Sequence, residues 1–176
     1  LPYRFDPTAI NTELAAHPEL WDRDPERRIA PGSPHREMTD IWVRCIDKAN
    51  IQAFNGPHEA RWYPAYEAVP SLRPVIFDVM RAVEAVRLGG VLITRIPPGG
   101  EIYAHKDAGW HPEYFNTKIY AVLASNDRCV NWAEDMTVCM APGECWYFDN
   151  TVLHGVYNRG DTDRVSLIIV TRVENE

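Results

Sequence analysis

The chain has 176 residues, enough for one domain with a substantial core and too few for two comfortable ones. Its 45% hydrophobic and 24% charged content is that of an ordinary globular protein, and its longest late apolar run, "VSLIIV", suits a buried strand rather than a membrane span. The net charge of −7 argues against nucleic acid as a partner, because a phosphate-backbone binder needs a concentrated basic surface. No signal peptide or lipidation motif is visible, although the start at Leu1 rather than Met leaves room for a trimmed segment. Cys45, Cys129, Cys139 and Cys145 form no C-x-x-C pair and match no zinc framework. They read as small buried thiols in a reducing compartment, the cytosol by default.

In chain order, residues 1–70 read as an irregular N-terminal segment rich in proline, tryptophan and charge. Within it "NTELAAH" favours a short helix ended by Pro18, and "DRDPERRIAPGSPHREMTD" favours a long loop. "IWVRCID" alternates as a strand does, and "NGPHEARWYPAYEAVP" returns to turns and aromatics. Residues 71–88 predict a supporting helix. Ser71 stands where a cap would, and Leu72, Val75, Ile76, Val79, Met80, Val83 and Val86 form one apolar stripe that Gly89-Gly90 would end.

From Gly90 to about residue 172 the texture changes to eight short strand-like runs: "GVLITRI", "EIYAH", "KIYAVLA", "RCVNWA", "MTVCMA", "ECWYFD", "VLHGVY" and "RVSLIIV". Turn-formers separate them and no helix intervenes, which points to a closed antiparallel barrel or a double-sheet jelly roll. No internal repeat or low-complexity tract divides the chain, so a single domain is the economical reading.

Chemistry concentrates in this half. If 101–107 were one strand, His105 and Asp107 would share a face, since residues two apart in a strand do. His154 stands in another predicted strand. Two imidazoles and one carboxylate make a facial set suited to non-haem Fe(II), and zinc could bind it too. Arg164 follows His154 by ten positions, with Ser166 two further on. An inward arginine near a metal is costly unless it meets an anion, and a guanidinium beside a hydroxyl is a good clamp for a carboxylate.

This order of residues resembles the Fe(II)/2-oxoglutarate-dependent dioxygenases. More narrowly, "ITRIPPGGEIYAHKDAG" and "GECWYFDNTVLHGVYNRGDTDRVSLIIV" resemble the aspartyl/asparaginyl β-hydroxylase family, over about residues 90–170, with the N-terminal part matching only loosely. The resemblance implies a mainly β, cupin-like double-stranded β-helix with a flanking helix. It implies that His105, Asp107 and His154 hold iron and that Arg164 and Ser166 bind the distal carboxylate of 2-oxoglutarate. Lys118 and Tyr120 occupy the alternate positions that in the family carry a basic residue and a histidine, which gives them a cosubstrate or substrate role. Some family members lack the aspartate ligand; this chain keeps it.

The implied reaction is oxygenase chemistry, using dioxygen, that hydroxylates an unactivated C–H of an amino acid or of an Asp/Asn-type side chain in a peptide. Trp110, His111, Arg128, His35 and Arg36 are candidates for substrate contact, as are Arg44 and Trp62. His35-Arg36 could lie on a lid. Two other classes stay open: a non-catalytic cupin-like module that binds a carboxylate, and a metal-dependent isomerase or dioxygenase that uses no 2-oxoglutarate. Succinate release separates the first reading from both.

Overall fold

The computed structural model describes residues 1–174. Its frame is ten strands: β1 (Thr39–Ile46), β2 (Ala60–Trp62), β3 (Ala85–Ile96), β4 (Glu101–His105), β5 (Thr117–Ala124), β6 (Cys129–Ala133), β7 (Met136–Val138), β8 (Cys145–Tyr147), β9 (His154–Asn158) and β10 (Arg164–Val173). Five helices accompany them: α1 (Thr8–Ala16), α2 (Glu26–Ile29), α3 (Ala65–Ala68), α4 (Leu72–Ala82) and α5 (Trp110–Tyr114). Every ladder is antiparallel. The strands form two sheets, in the orders β2-β1-β3-β10-β5-β8 and β4-β9-β6-β7. The eight runs expected after Gly90 are β3 to β10, four in each sheet, but the expectation that no helix intervenes is wrong, since α5 stands between β4 and β5. The architecture is therefore the mainly β, double-sheet jelly roll that the sequence calls for, with β1 and β2 widening the larger sheet.

The larger sheet is covered on both faces, which is why β10 reads as a nearly continuous apolar run rather than an alternation. On its outer face Ile41, Val43, Val91, Ile93, Ile119, Leu123, Leu167 and Ile169 pack on Ile10 and Leu14 of α1 and on Leu72, Val75, Ile76 and Val79 of α4. The apolar stripe of α4 thus performs the scaffold role its spacing predicts. On the inner face Ile96 joins Ile102, Cys129 and Val156 of the smaller sheet, with Met38, in a second cluster that holds the sheets together. The polar residues of the site line the remaining space between the sheets.

Three expectations need correction. The supporting helix ends at Ala82, not at residue 88, and β3 begins at Ala85. Glu84 turns the chain with a left-handed φ of 54°, and the backbone beyond it gains pairing to β10: Thr171 with Leu88, Arg172 with Arg87, Val173 with Ala85. Sheet pairing outweighs the helical spacing, and Val86 ends up 57% exposed instead of extending the stripe. Ser71 does not cap α4; its amide and hydroxyl are both held by the Glu13 carboxylate, at 3.0 and 2.7 Å.

The N-terminal 70 residues are not irregular either. α1 stops before Pro18 as expected, but β1 lies inside the larger sheet between β2 and β3, and Ser33, Met38 and Asp40 of the expected loop are buried. Of the four thiols, Cys45, Cys129 and Cys145 are buried and free, while Cys139 is free and exposed. Among the described residues no helix is long and apolar enough to cross a membrane.

Candidate metal centre

β4 and β9 are neighbours in the smaller sheet, and their register sets His105 opposite His154. Partners directly across an antiparallel ladder project to one face, so the imidazoles meet with ring centroids 4.3 Å apart. Asp107 is placed differently from the expectation. β4 ends at His105, so alternation along one strand cannot position the aspartate. A loop does so instead, anchored by the Asp107 amide donating to the Asn150 carbonyl at 2.9 Å. Asp107 Oδ1 lies 3.5 Å from His105 Nε2, and one ligand atom from each of the three residues falls within 4.8 Å of the others.

The tautomers are fixed by the backbone. His105 Nδ1 faces the Tyr103 carbonyl at 2.7 Å and His154 Nδ1 faces the Val152 carbonyl at 2.9 Å. A carbonyl only accepts, so each Nδ1 carries its proton and each Nε2 presents a lone pair. Burial lowers the His154 pKa, which keeps the ring neutral, the form a metal needs. Burial alone would raise the Asp107 carboxyl, but the neighbouring His105 and the charge of Lys118 together hold it well below the usual carboxylate range. Two neutral imidazoles and an ionised carboxylate, converging without a metal, suit a divalent transition ion.

Lys118 and Tyr120 come from β5, across the interior. The Lys118 ammonium pairs with Asp107 Oδ2. Tyr120 Oη accepts from Asn150 Nδ2 at 2.7 Å, and the same amide nitrogen stands 3.4 Å from His154 Nε2. Phe148 stacks on Tyr120, with centroids 5.0 Å apart, and sits edge-on to His154. β5 therefore brings both residues to the triad.

Arg164 is 1% exposed. Its Nε donates to Ser166 Oγ at 2.8 Å and its Nη1 to Ser125 Oγ at 3.2 Å, while Nη2 has only the Met140 sulfur at 3.5 Å. The surface ion pair with Asp161 or Asp163 that would explain an ordinary arginine does not form; among the described residues no carboxylate touches the guanidinium. A buried guanidinium held by hydroxyls, the Met140 carbonyl at 3.4 Å and a thioether is an expensive arrangement without an anion to meet it.

The remaining candidates divide. His35 joins the site, its ring edge-on to His105 with centroids 5.1 Å apart. Arg36 is exposed and lies 3.4 Å over the Tyr103 ring. Trp110 and His111 sit on α5 with His58, Tyr114 and Phe115 around them. His111 is drawn down to about 4 by burial first and then by the charge of Lys118. Arg128 is exposed next to Cys129, at the opposite end of β6 from Ala133, the partner of His154, and is not brought to the triad. Arg44 ties strands together by donating to the Leu88 and Gly89 carbonyls at 3.1 and 2.7 Å, and Trp62 stacks on Tyr66.

Sequence reading missed Asn150, Met140 and Arg27. Asn150 looked like a turn residue in "FDNT", and only the tight sequence proximity to His154 hinted otherwise. Met140 and Arg27 carry no local signal, because their roles depend on what the fold sets beside them.

Comparison with known proteins agrees with this geometry. Residues 49–172 match the family model described as aspartyl/asparaginyl beta-hydroxylase. No curated protein matches the chain in sequence. Among solved structures it is similar to a predicted oxalate decarboxylase from Thermotoga maritima, at 21% identity over 55% of this chain and 73% of that one, with a TM-score of 0.39. It is also similar to a cupin domain from Bordetella pertussis Tohama I, at 20% identity over 49% and 84% of the two chains, with a TM-score of 0.39. The family match spans the strands that carry His105, Asp107, His154 and Arg164, and on it the chain belongs to the aspartyl/asparaginyl beta-hydroxylase family.

Proposed function

We propose that the protein is an Fe(II)- and 2-oxoglutarate-dependent oxygenase that hydroxylates an unactivated C–H bond of an amino acid or of an Asp/Asn-type side chain in a peptide. The observation that carries the reading is the pairing of a three-ligand facial set with a buried arginine that lacks a carboxylate, both facing the same space between the sheets. A cupin-like module that only binds a carboxylate would need the arginine but not all three ligands.

Iron and 2-oxoglutarate would supply the coupling of dioxygen reduction and cosubstrate decarboxylation to oxygen insertion. His105, Asp107 and His154 would hold the metal on one side and leave its other side open. Arg164 and Ser166 would take the distal carboxylate of the cosubstrate through charge-assisted hydrogen bonds, with Ser125 as a further donor. Lys118 and Tyr120 would line the space beside the metal, with Lys118 keeping the Asp107 carboxylate ionised and oriented. The apolar Phe148, Ile102 and Val156 would limit water around the reacting carbon.

The test is an anaerobic titration of metal-free protein with Fe(II) and 2-oxoglutarate, following the visible charge-transfer band of the chelate. The parent should develop the band and His105→Ala should not. Arg164→Gln should need on the order of a hundredfold more 2-oxoglutarate, the worth of a buried charge-assisted pair. A folded, iron-loaded parent without a band would overturn the oxygenase reading in favour of the binding module.

A further inference from the structure

A second guanidinium, largely buried, lies outside the matched region, in the N-terminal segment. Arg27, on α2, sets Nε 3.3 Å from Asp40 Oδ2. The contact is off the hydrogen-bonding axis: Arg27 Nε and Asp40 Oδ2 are both buried without a hydrogen-bond partner. Asp40 spends its other oxygen on Thr94 Oγ1, at 2.7 Å. The forked end of Arg27 meets only His35 Nδ1 at 3.2 Å and the Met38 sulfur at 3.5 Å. The Arg27 side chain is 14% exposed and makes one off-axis ion pair, with no bidentate anion.

Its location gives the vacancy in its bonding a purpose. Asp40 pairs with Thr94 and Thr94 with Ser166, so Asp40 and Ser166 lie in one row across the inner face of the larger sheet. Arg27 stands over the β1 end of that row and Arg164 near its β10 side. His35, which touches Arg27, also packs on His105. The two arginines thus lie on the side of the sheet that faces the metal ligands, and each sets a terminal nitrogen against a methionine sulfur.

We infer that Arg27 anchors a carboxylate of the primary substrate, so that the enzyme acts on a small carboxylic acid rather than on a neutral side chain. This rests on the oxygenase reading for its assignment of roles. Arg164 is the more enclosed, at 1% exposure, and has two hydroxyls ready beside it, which suits a constant cosubstrate. Arg27 keeps an opening to solvent, which suits a molecule that enters and leaves each turnover. Lys118 pairs here with Asp107 rather than with the surroundings of either arginine. A guanidinium fork reads a planar carboxylate through two parallel hydrogen bonds and rejects a carboxamide, which would turn N–H groups toward it.

The test uses full-length protein loaded with Zn(II), which permits binding without turnover, and calorimetry as the readout. 2-Oxoglutarate is titrated first. Free amino acids are then titrated, each beside its primary carboxamide, with and without 2-oxoglutarate. At least one acid should bind, its carboxamide should bind roughly tenfold or more weakly, and Arg27→Gln should erase that preference while leaving 2-oxoglutarate affinity within about twofold. Because Arg27→Gln leaves Asp40 without its cation, the double variant Arg27→Gln/Asp40→Asn is measured beside it, and it should show the same loss. The inference is overturned if no acid is preferred over its amide, if the folded variants keep the preference, or if they lose 2-oxoglutarate instead. Should the parent fail to bind 2-oxoglutarate yet prefer acids through Arg27, the cosubstrate assignment falls and the carboxylate subsite stands.

Discussion

At the scale of single residues, the ligand atoms of the candidate metal site are set in place by their neighbours. Lys118 stands in for the cation, pairing with Asp107, while the backbone carbonyls of Tyr103 and Val152 keep the imidazole lone pairs free. The same ammonium opposes an incoming metal ion by like charge. Lys118→Met should therefore act in two directions. The metal-free protein should lose about 1–3 kcal/mol, the cost of stranding a partly buried carboxylate, and the rise in melting temperature on adding Co(II) or Zn(II) should exceed the parent's, since ligand-linked stabilisation grows with affinity. Thermal melts with and without metal check both. A variant with unchanged metal response would show that Lys118 does not compete for Asp107.

At the scale of elements, the junction of α4 and β3 is where two preferences collide. Glu84 holds a left-handed backbone so that residues 85–88 can join β10. That conformation costs a non-glycine residue about 1–2 kcal/mol. Glu84→Gly should accordingly stabilise the fold by up to about 1 kcal/mol, after the entropy that glycine loses. Five residues on, Gly89 is required for a different reason. A Cβ there would lie 2.8 Å from the Phe115 ring, which packs over β3 and ends α5 beside the site. Gly89→Ala should lower the midpoint by a cost of about 1–3 kcal/mol, in the range of overpacked cores. Chemical denaturation of the two variants should move the midpoint in opposite directions.

At the scale of the whole molecule, the histidines couple the site to stability. His35, His111 and His154 all have pKa values lowered, burial being the first cause in each. The unfolded chain then binds protons that the folded one refuses, so their share of stability is complete above an ordinary histidine pKa of 6.5 and drains away as pH falls, through about 4 for His111. Asp40 works the other way, because burial raises its carboxyl. The parent should thus lose stability from pH 6.5 downward, and His111→Asn should show a shallower slope between 6.5 and about 4. Urea midpoints measured across that window test it. Parallel curves for parent and variant would remove His111 from the set.

The strands β1 and β3 to β10, α1 and the apolar stripe of α4 were legible in the sequence because each is governed by local rules: period-two and period-three-to-four burial, and turn residues that break them. The metal ligands were legible because their residue types are few and their order along a jelly roll is constrained by topology. Other features followed only from the tertiary structure. Sheet pairing took residues 85–88 from helix to strand, a loop held by Asn150 rather than strand alternation set Asp107 beside His105, and Arg128 fell at the far end of β6. The N-terminal segment shows the division best. Nothing near Arg27 in "DPERRIAP" distinguishes it from a solvated arginine, and its meaning comes from Asp40, Met38 and His35, which the folded chain sets around it and beside His105. Local sequence determines which elements form and which chemistry is present; long-range packing decides which charges are left without a partner, because burial and pairing are properties of neighbours that the chain order does not record.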